Sequence, residues 1–304
     1  MSLLDYVQRW TKEPPPEYFF EVSQRGIAWA HPRHGGTVRV HPFPENALDV
    51  SPVQPNMLRS DLLDGSVPNV SGKNNQRRIK AGLVVPDYAV RISVLDFEEF
   101  PSDEEQRLAL VRFRLRKTVP FSIDEAQVSC SLQSADPEQK RYDVLAAAVF
   151  RPVLDEYEGL LRSRGFQVGL VLPSSIATLP LCSCAGSELS LLAKLSGEIL
   201  SILLLEGQQI RLARCVDLRS EEGSDDDHEP VICTLLHQTL AYAEDELGEP
   251  VRHLLLCGFD RDGEAIGRSI QEELGLSWEP LRSRLGNPSQ ENAGLLGLME
   301  QYAA

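Results

Sequence analysis

Three groups of side chains in this sequence could bind a metal ion. They are the pair Cys182 and Cys184, the histidines His31, His34 and His41, and the run Asp225-Asp-Asp-His228. A structural zinc site needs four ligands, usually as two separated pairs, and no second close cysteine pair is present. The histidines stand among prolines and glycines typical of loop ends, and the acidic run is typical of a solvated loop. The sequence therefore predicts no metal site.

Motifs for covalent or phosphate chemistry are also missing from the sequence. It contains no Gly-x-Ser-x-Gly nucleophile elbow, no P-loop, and no Gly-x-Gly-x-x-Gly that follows a predicted strand. Most of the six cysteines are isolated in apolar or strand-like stretches, as expected for small buried side chains. These patterns favour a binding protein over an enzyme.

Strand-like and helix-like patterns follow one another in two successive halves, which predicts an α/β protein with an internal duplication. Tyr18–Ala30 is predicted as a single strand that turns at residues 33–36 into a second strand, Thr37–His41. Ser102 and Glu105 form a predicted capping box for a helix over Asp103–Thr118, which ends before Pro120.

Charge and hydropathy exclude some functions. The 304 residues carry a net charge of −15, with the acid excess in residues 121–304, which argues against nucleic acid as a partner. No apolar run approaches the roughly 18–20 residues that span a bilayer, and the N-terminus does not resemble a signal peptide. We therefore expect a cytoplasmic protein. Residues 1–16 form a predicted amphipathic segment, which either packs on the body or docks on a membrane or partner.

Short motifs over residues 81–181 resemble the PilM family, the actin-like cytoplasmic proteins of type IV pilus assembly, and more loosely the cytoplasmic part of GspL. The motifs are Pro86-Asp87, Arg91, Pro120-Phe121, Asp143-Val-Leu145, Gly165-Phe166 and Ala177. The resemblance implies a bilobed, actin-like fold built from a duplicated RNase H-like unit. The first half would cover residues 17–181, with a small α/β subdomain inserted at about 83–142. The second half would cover residues 182–304.

The resemblance also locates the turns that would hold a nucleotide, and these are degenerate. Glu21 and Ser23 stand where the family has its first Asp-x-Gly, and Leu172 replaces an acidic residue. Gly197 is the single glycine of the second turn, and Gly258, followed by Phe259, is that of the third. We therefore expect no catalysis and no ATP–magnesium cofactor. Weak nucleotide binding without catalysis and an active ATPase of the same machine are the alternatives.

The partner implied by the resemblance is a PilN-like bitopic inner-membrane protein, bound through its cytosolic N-terminal peptide. A pilus ATPase, a platform protein and further copies of this chain in a ring are additional implied partners. The chain would then be a scaffold at the inner membrane, with a GspL-like secretion scaffold as another alternative. The candidate binding residues are Arg91, Arg112, Arg116, Pro120 and Phe121. The other interpretation is that these arginines only solvate a helix face.

Overall fold

The computed structural model describes residues 16–32, 37–44, 47–57, 61, 64–70, 79–136, 138–182, 188–220, 228–259 and 263–303. The N-terminal amphipathic segment predicted for residues 1–16 lies outside the described residues except for its last position. The predicted turn at residues 33–36, Cys184 and Asp225–Asp227 also lie outside them. Among the described residues, no helix is long and apolar enough to cross a membrane.

A five-stranded sheet forms the centre of the first lobe. Its strands are β1 (Tyr18–Ser23), β2 (Gly26–Ala30), β3 (Arg39–Pro42), β4 (Ile79–Val85) and β8 (Phe166–Pro173). The order is β3-β2-β1-β4-β8, in which β1 to β3 are antiparallel and β4 and β8 run parallel to β1. Helix α2 (Arg151–Ser163) buries Val153, Tyr157 and Leu161, which follow helical spacing, against this sheet.

The second lobe repeats this topology. Its strands are β9 (Leu189–Ser196), β10 (Ile199–Glu206), β11 (Gln209–Asp217), β12 (His253–Cys257) and β13 (Ser277–Pro280). The order β11-β10-β9-β12-β13 matches the first sheet strand for strand, with the same antiparallel and parallel pairings. Helices α4 (Glu229–Tyr242), extended by a π-helical turn at Ala243–Leu247, and α5 (Gly263–Leu274) belong to this lobe. The repeat confirms the predicted duplication and the bilobed α/β architecture.

A smaller α/β unit is inserted in the first half, but its bounds differ from the predicted 83–142. Strands β5 (Val90–Phe97), β6 (Ala126–Asp136) and β7 (Arg141–Phe150) form an antiparallel sheet of order β5-β7-β6. Helix α1 (Glu104–Leu115) packs on one face of this sheet. Because Leu83–Val85 belong to β4 in the first sheet and β7 continues to Phe150, the sheet topology places the inserted unit at residues 90–150.

The C-terminal helix returns to the first lobe, so the predicted second half, 182–304, contains an element of the first. Helix α6 (Ala293–Ala303) buries Leu295, Leu298 and Met299 against Phe19 of β1 and its neighbours. It also lies close to the short helix α3 (Ser174–Thr178). A side chain at Gly297 would overlap the carbonyl oxygen of Ala177, so this close approach requires glycine there.

Two local predictions were wrong. The predicted strand Tyr18–Ala30 is a hairpin, because Gln24 and Arg25 form a tight turn between β1 and β2. The cap of α1 is Asp103 and not Ser102: the Asp103 carboxylate accepts a hydrogen bond of 3.0 Å from the backbone N–H of Gln106. Both residue types cap helices well, so spacing alone did not distinguish the two positions.

The inserted unit also contacts the second lobe. The side-chain amide of Gln133 donates to the Ile210 carbonyl at 2.9 Å and accepts from the Ile210 N–H at 2.8 Å. Asp143 forms an ion pair of 3.1 Å with Arg211, and both side chains are largely buried. The two lobes are therefore joined through the inserted unit as well as through the α3–α6 region.

Candidate functional site

The first nucleotide-type turn is closed by its own side chains. The Ser23 hydroxyl donates to the Gly26 carbonyl at 3.1 Å and accepts from the Gly26 N–H at 3.2 Å. Both carboxylate oxygens of Glu21 are also occupied, since one accepts from the Ser174 hydroxyl and the other from the Leu295 N–H at 2.8 Å. Glu21 is fully buried, so it links β1 to α3 and α6 and presents no open oxygen to a metal.

The second turn, between β9 and β10, is in direct contact with the first. Gly197 has a φ of +59°, and a side chain there would overlap the Gln24 side chain. The side-chain oxygen Oε1 of Gln24 accepts a hydrogen bond of 2.8 Å from the backbone N–H of Glu198. A phosphate cradle needs free backbone N–H groups that face the cleft from such turns. Here Gln24 from the first lobe takes one of those donors.

The third turn, after β12, is covered by Gln290. Gly258 has a φ of +79°, and a side chain at this position would overlap the Leu195 carbonyl and press on the Gln290 side chain. The side-chain oxygen of Gln290 accepts a hydrogen bond of 2.9 Å from the Gly197 N–H. The backbone carbonyl of Gln290 accepts from the Ser196 hydroxyl at 3.0 Å. One buried glutamine therefore spans the second and third turns.

A buried lysine lies between the two lobes behind these turns. Lys194 of β9 is almost completely buried and interacts electrostatically with Asp87 and Glu21. Burial alone would lower the pKa of Lys194, but these two carboxylates hold its pKa above the ordinary value. Burial raises the pKa of Glu21 despite the opposing effect of Lys194 and of its two hydrogen bonds. Lys194 therefore places a buried positive charge where it acts electrostatically on Glu21 and Asp87.

Asp87 completes this network across the cleft. One of its oxygens accepts from the backbone N–H and the hydroxyl of Ser175, each at 2.8 Å, and the other accepts from the Ser201 hydroxyl at 2.8 Å. A magnesium–phosphate site requires open carboxylate oxygens and water-filled space for a hydrated cation. Because protein donors occupy these carboxylates and the buried ammonium group of Lys194 acts on them, the residues present do not fit such a site. Among the described residues, no cluster of three or more His, Cys, Asp or Glu side chains could hold a metal.

A second feature is an apolar groove between the first lobe and the inserted unit. Its walls are the free edge of β8, the face of α2 near Arg151 and Leu154, and the face of the inserted sheet opposite α1, which carries Val90, Ile92, Ala147 and Val149. The volume is about 300 Å³. Several of these apolar side chains are only half-buried. At the mouth, the Arg151 guanidinium donates to the Gln127 side chain, and Glu158 lies nearby.

Gly169 is an exposed residue that lines this groove. It lies in a bulge of β8, where Ala81 and Gly82 of β4 pair with Val168 and Leu170 on either side of it. A Cβ atom added at Gly169 would meet nothing within 4 Å, and its φ is not in the left-handed region. The backbone conformation would therefore tolerate another residue at this position, and the absence of a side chain leaves the space beside it open.

The predicted partner residues do not form one surface. Arg91 is half-buried and lines a small cavity at the lobe junction with Asp87 and Cys215. Phe121 stacks on Phe150, with ring centroids 5.8 Å apart, so it is a core contact of the inserted unit. Pro120 and Arg116 are exposed at the end of α1. The groove just described contains none of the five predicted residues.

Arg112 is half-buried and not exposed as the helical pattern predicted, and its role in partner binding stays a prediction. Its guanidinium donates to the Ile123 carbonyl at 2.6 Å and to the Ala126 carbonyl at 3.1 Å, which ties α1 to the start of β6. We expect Arg112→Ala to lower the free energy of unfolding by about 1–2 kcal/mol, since both carbonyls lose a charged donor. The exposed Arg116→Ala should change it by less than about 0.5 kcal/mol. Urea denaturation of both variants checks this, and equal effects would contradict the structural role.

Sequence patterns did not reveal the residues that close the cleft. Gln24, Gln290 and Lys194 were not singled out, although Lys194 lies in a strand, Leu189–Ser196, whose other residues are apolar apart from two serines. A lysine in such a strand is rarely buried without a carboxylate partner, so its position in the sequence indicates a buried carboxylate nearby. The glutamines gave no signal, because they act through tertiary contacts alone.

Comparisons with known proteins agree with this geometry at the level of the fold. No protein-family model matches the chain, and no curated protein matches it. The structure is similar to a PilM-PilN type IV pilus biogenesis complex, with a TM-score of 0.74, 17% identity, and coverage of 96% of this chain and 100% of that one.

Two further structures are similar over most of their length. One is a Bacteroides thetaiotaomicron protein described as having an actin-like ATPase fold and unknown function, with a TM-score of 0.53, 12% identity, and coverage of 93% of this chain and 96% of that one. The other is the cytoplasmic domain of EpsL, an inner-membrane component of the Vibrio cholerae type II secretion system, with a TM-score of 0.52, 12% identity, and 94% coverage of each chain. The fold is therefore actin-like, as the resemblance implied.

Proposed function

We propose that this chain is a non-catalytic cytoplasmic scaffold that binds the cytosolic N-terminal peptide of a PilN-like inner-membrane protein and is thereby held at that membrane. The observation that carries this proposal is the groove between β8 and the inserted sheet, with its half-buried apolar walls and polar mouth. Such a groove suits a short peptide that buries apolar side chains against a preformed surface. A fold shared with a PilM-PilN complex supports the same role.

The first test is a calorimetric titration with a synthetic peptide. We expect the cytosolic N-terminal peptide of the bitopic membrane protein encoded beside this gene to bind saturably, one peptide per chain. A scrambled peptide of the same composition is the control. Burial of apolar surface should give a negative heat-capacity change when the titration is repeated at several temperatures. No heat of binding from a folded sample would remove this function and leave the fold unaffected.

We propose that the chain does not hydrolyse ATP. The contact between Gln24 and Glu198 and the bridging by Gln290 support this, because they occupy donors that phosphates would need. We expect the thermal midpoint of unfolding to stay unchanged when millimolar ATP and magnesium are added. A ligand present at a hundred times its Kd would stabilise the folded state by about 2.7 kcal/mol. A clear upward shift that needs magnesium would favour the alternative, an active ATPase of the same machine.

A GspL-like secretion scaffold is the second candidate, because the EpsL cytoplasmic domain shares the fold. The peptide titration separates the two if it is run in parallel with the corresponding segments of a pilus and a secretion membrane subunit. The segment that binds identifies the machine.

A further inference from the structure

The inserted sheet has one long edge that no described strand covers. β6 (Ala126–Asp136) pairs with β7 on one side, and within the described part of the chain it pairs with no strand on the other. It has eleven residues, against about five or six in an ordinary strand. Proteins protect such edges with charged residues, proline or bulges, because exposed N–H and C=O groups attract other strands. From Ala126 to Ala135, β6 has no charge and no proline, and its one bulge lies near the end, at Gln133.

A groove beside this edge leaves room for another strand. It follows Gln127–Leu132 of β6, and the N-terminal turns of α1 form its opposite wall. Arg107 in that wall has a buried Nε donor with no hydrogen-bond partner among the described residues. An incoming strand could therefore form hydrogen bonds with the unpaired backbone groups of β6 and with the Nε donor of Arg107.

The sequence of β6 is nearly the same when read in either direction from Cys130. Ser129 mirrors Ser131, Val128 mirrors Leu132, and Gln127 mirrors Gln133. An antiparallel pair of identical strands related by a two-fold axis places each residue opposite its mirror position. A two-fold axis at Cys130 would therefore pair apolar with apolar and hydroxyl with hydroxyl, and no like charges would meet.

We propose that β6 is a homodimer interface, where two copies of this chain pair antiparallel about Cys130 and join their inserted sheets into one six-stranded sheet. The chain carries a net charge of −15, so two copies repel at most of their surface, and an uncharged edge is a favourable place for contact.

The register has a geometric consequence. In this register each residue lies opposite one that is an even number of positions away in the sequence. Their side chains therefore lie on the same face of the combined sheet. The two α1 helices would lie on one face and the two apolar grooves on the other. If the proposed function holds, the dimer presents two peptide sites on one side, which would increase the avidity for a membrane carrying many copies of the partner.

Sedimentation velocity of the full chain tests the interface without any partner peptide. We expect a reversible monomer–dimer equilibrium at micromolar concentrations. In the proposed register, residue 129 of one copy lies opposite residue 131 of the other copy. Ser129→Lys combined with Ser131→Lys therefore places two lysines opposite each other at two places in the interface. This variant should raise the dimer Kd by at least about tenfold. Ser129→Lys combined with Ser131→Glu alters the same two positions but sets opposite charges across the axis, and should restore dimers.

A thiol cross-link reports the register. Residues directly opposite in an antiparallel pair have Cα atoms about 4.5–5.5 Å apart, so a short bifunctional thiol reagent should join the two Cys130 side chains. Cys130→Ser should remove the cross-linked dimer, while the other cysteines remain as internal controls. A folded protein that stays monomeric at all concentrations, or a dimer unaffected by the lysine pair, would overturn the proposal. Neither result depends on whether the peptide groove is occupied.

Discussion

Gly169→Trp should abolish detectable binding of the partner peptide while leaving the fold intact. An indole ring at this exposed position in the groove wall would obstruct the space that an apolar peptide side chain needs, because an added Cβ atom here meets no other atom within 4 Å. Preventing the burial of one large apolar side chain costs about 2–3 kcal/mol, which weakens affinity roughly 30- to 150-fold. Calorimetric titration of the variant measures this loss. Gly169→Ala should have a much smaller effect, so the series should be graded by side-chain size.

The matched control is Gly159→Leu in α2. This glycine also has no atom within 4 Å of an added Cβ, but it does not line the groove. The control should bind the peptide as the unmodified chain does and gain some stability, since glycine is a poor helix former. Full affinity in Gly169→Trp, with unchanged unfolding, would place the peptide elsewhere on the molecule.

If the proposed function holds, the contacts that join the two lobes affect how the groove binds a peptide. Here Gln24 bonds across the cleft to Glu198, and Gln133 and Asp143 join the inserted unit to the second lobe. Bridges at several places restrain relative lobe movement, and a restrained groove loses less entropy when it binds a peptide. These contacts would therefore favour a fixed docking surface.

Much of the architecture could be predicted from the sequence, because it depends on local patterns repeated in two halves. The hairpin at Glu206 and Gly207 and the helices over residues 263–274 and 293–303 are signalled by turn residues and apolar spacing. The bounds of the inserted unit could not be predicted this way. β4 and β5 are both apolar strands, separated only by Pro86–Ala89, and periodicity does not reveal which sheet a strand joins.

The nucleotide role of the four positions named by the resemblance stays a prediction. Ser23, Gly197 and Gly258 lie at or beside turns, and Glu21 lies within β1. What fills the cleft depends on Gln24 and Gln290, which lie near opposite ends of the chain. Arg112 shows the same limit, because helical spacing predicts a face of α1 but not the carbonyls beneath its guanidinium.

Lys194→Met should be the most destabilising single substitution that we predict. Methionine keeps most of the side-chain volume, but it removes the buried positive charge that acts on Glu21 and Asp87. Removing one partner from a buried charged group costs about 3–5 kcal/mol. Urea denaturation at neutral pH measures the loss, with Lys117→Met on the exposed end of α1 as a control expected to change little. Adding Glu21→Gln to Lys194→Met should recover part of the loss, because a neutral amide needs no counter-ion.

The pH dependence separates this electrostatic role from simple packing. The pKa of Glu21 is already raised by burial, and Lys194 opposes that rise, so the variant should raise it further. A carboxyl with a raised folded-state pKa favours the folded state at low pH and loses that contribution as the pH rises through the pKa. The cost of Lys194→Met should therefore be largest at neutral pH and shrink as the pH falls through the raised pKa of Glu21. Lys194 itself, with its pKa raised above 10.5, stays charged throughout this range. If Lys194→Met lowers the free energy of unfolding equally at neutral and at low pH, Lys194 contributes packing and not charge.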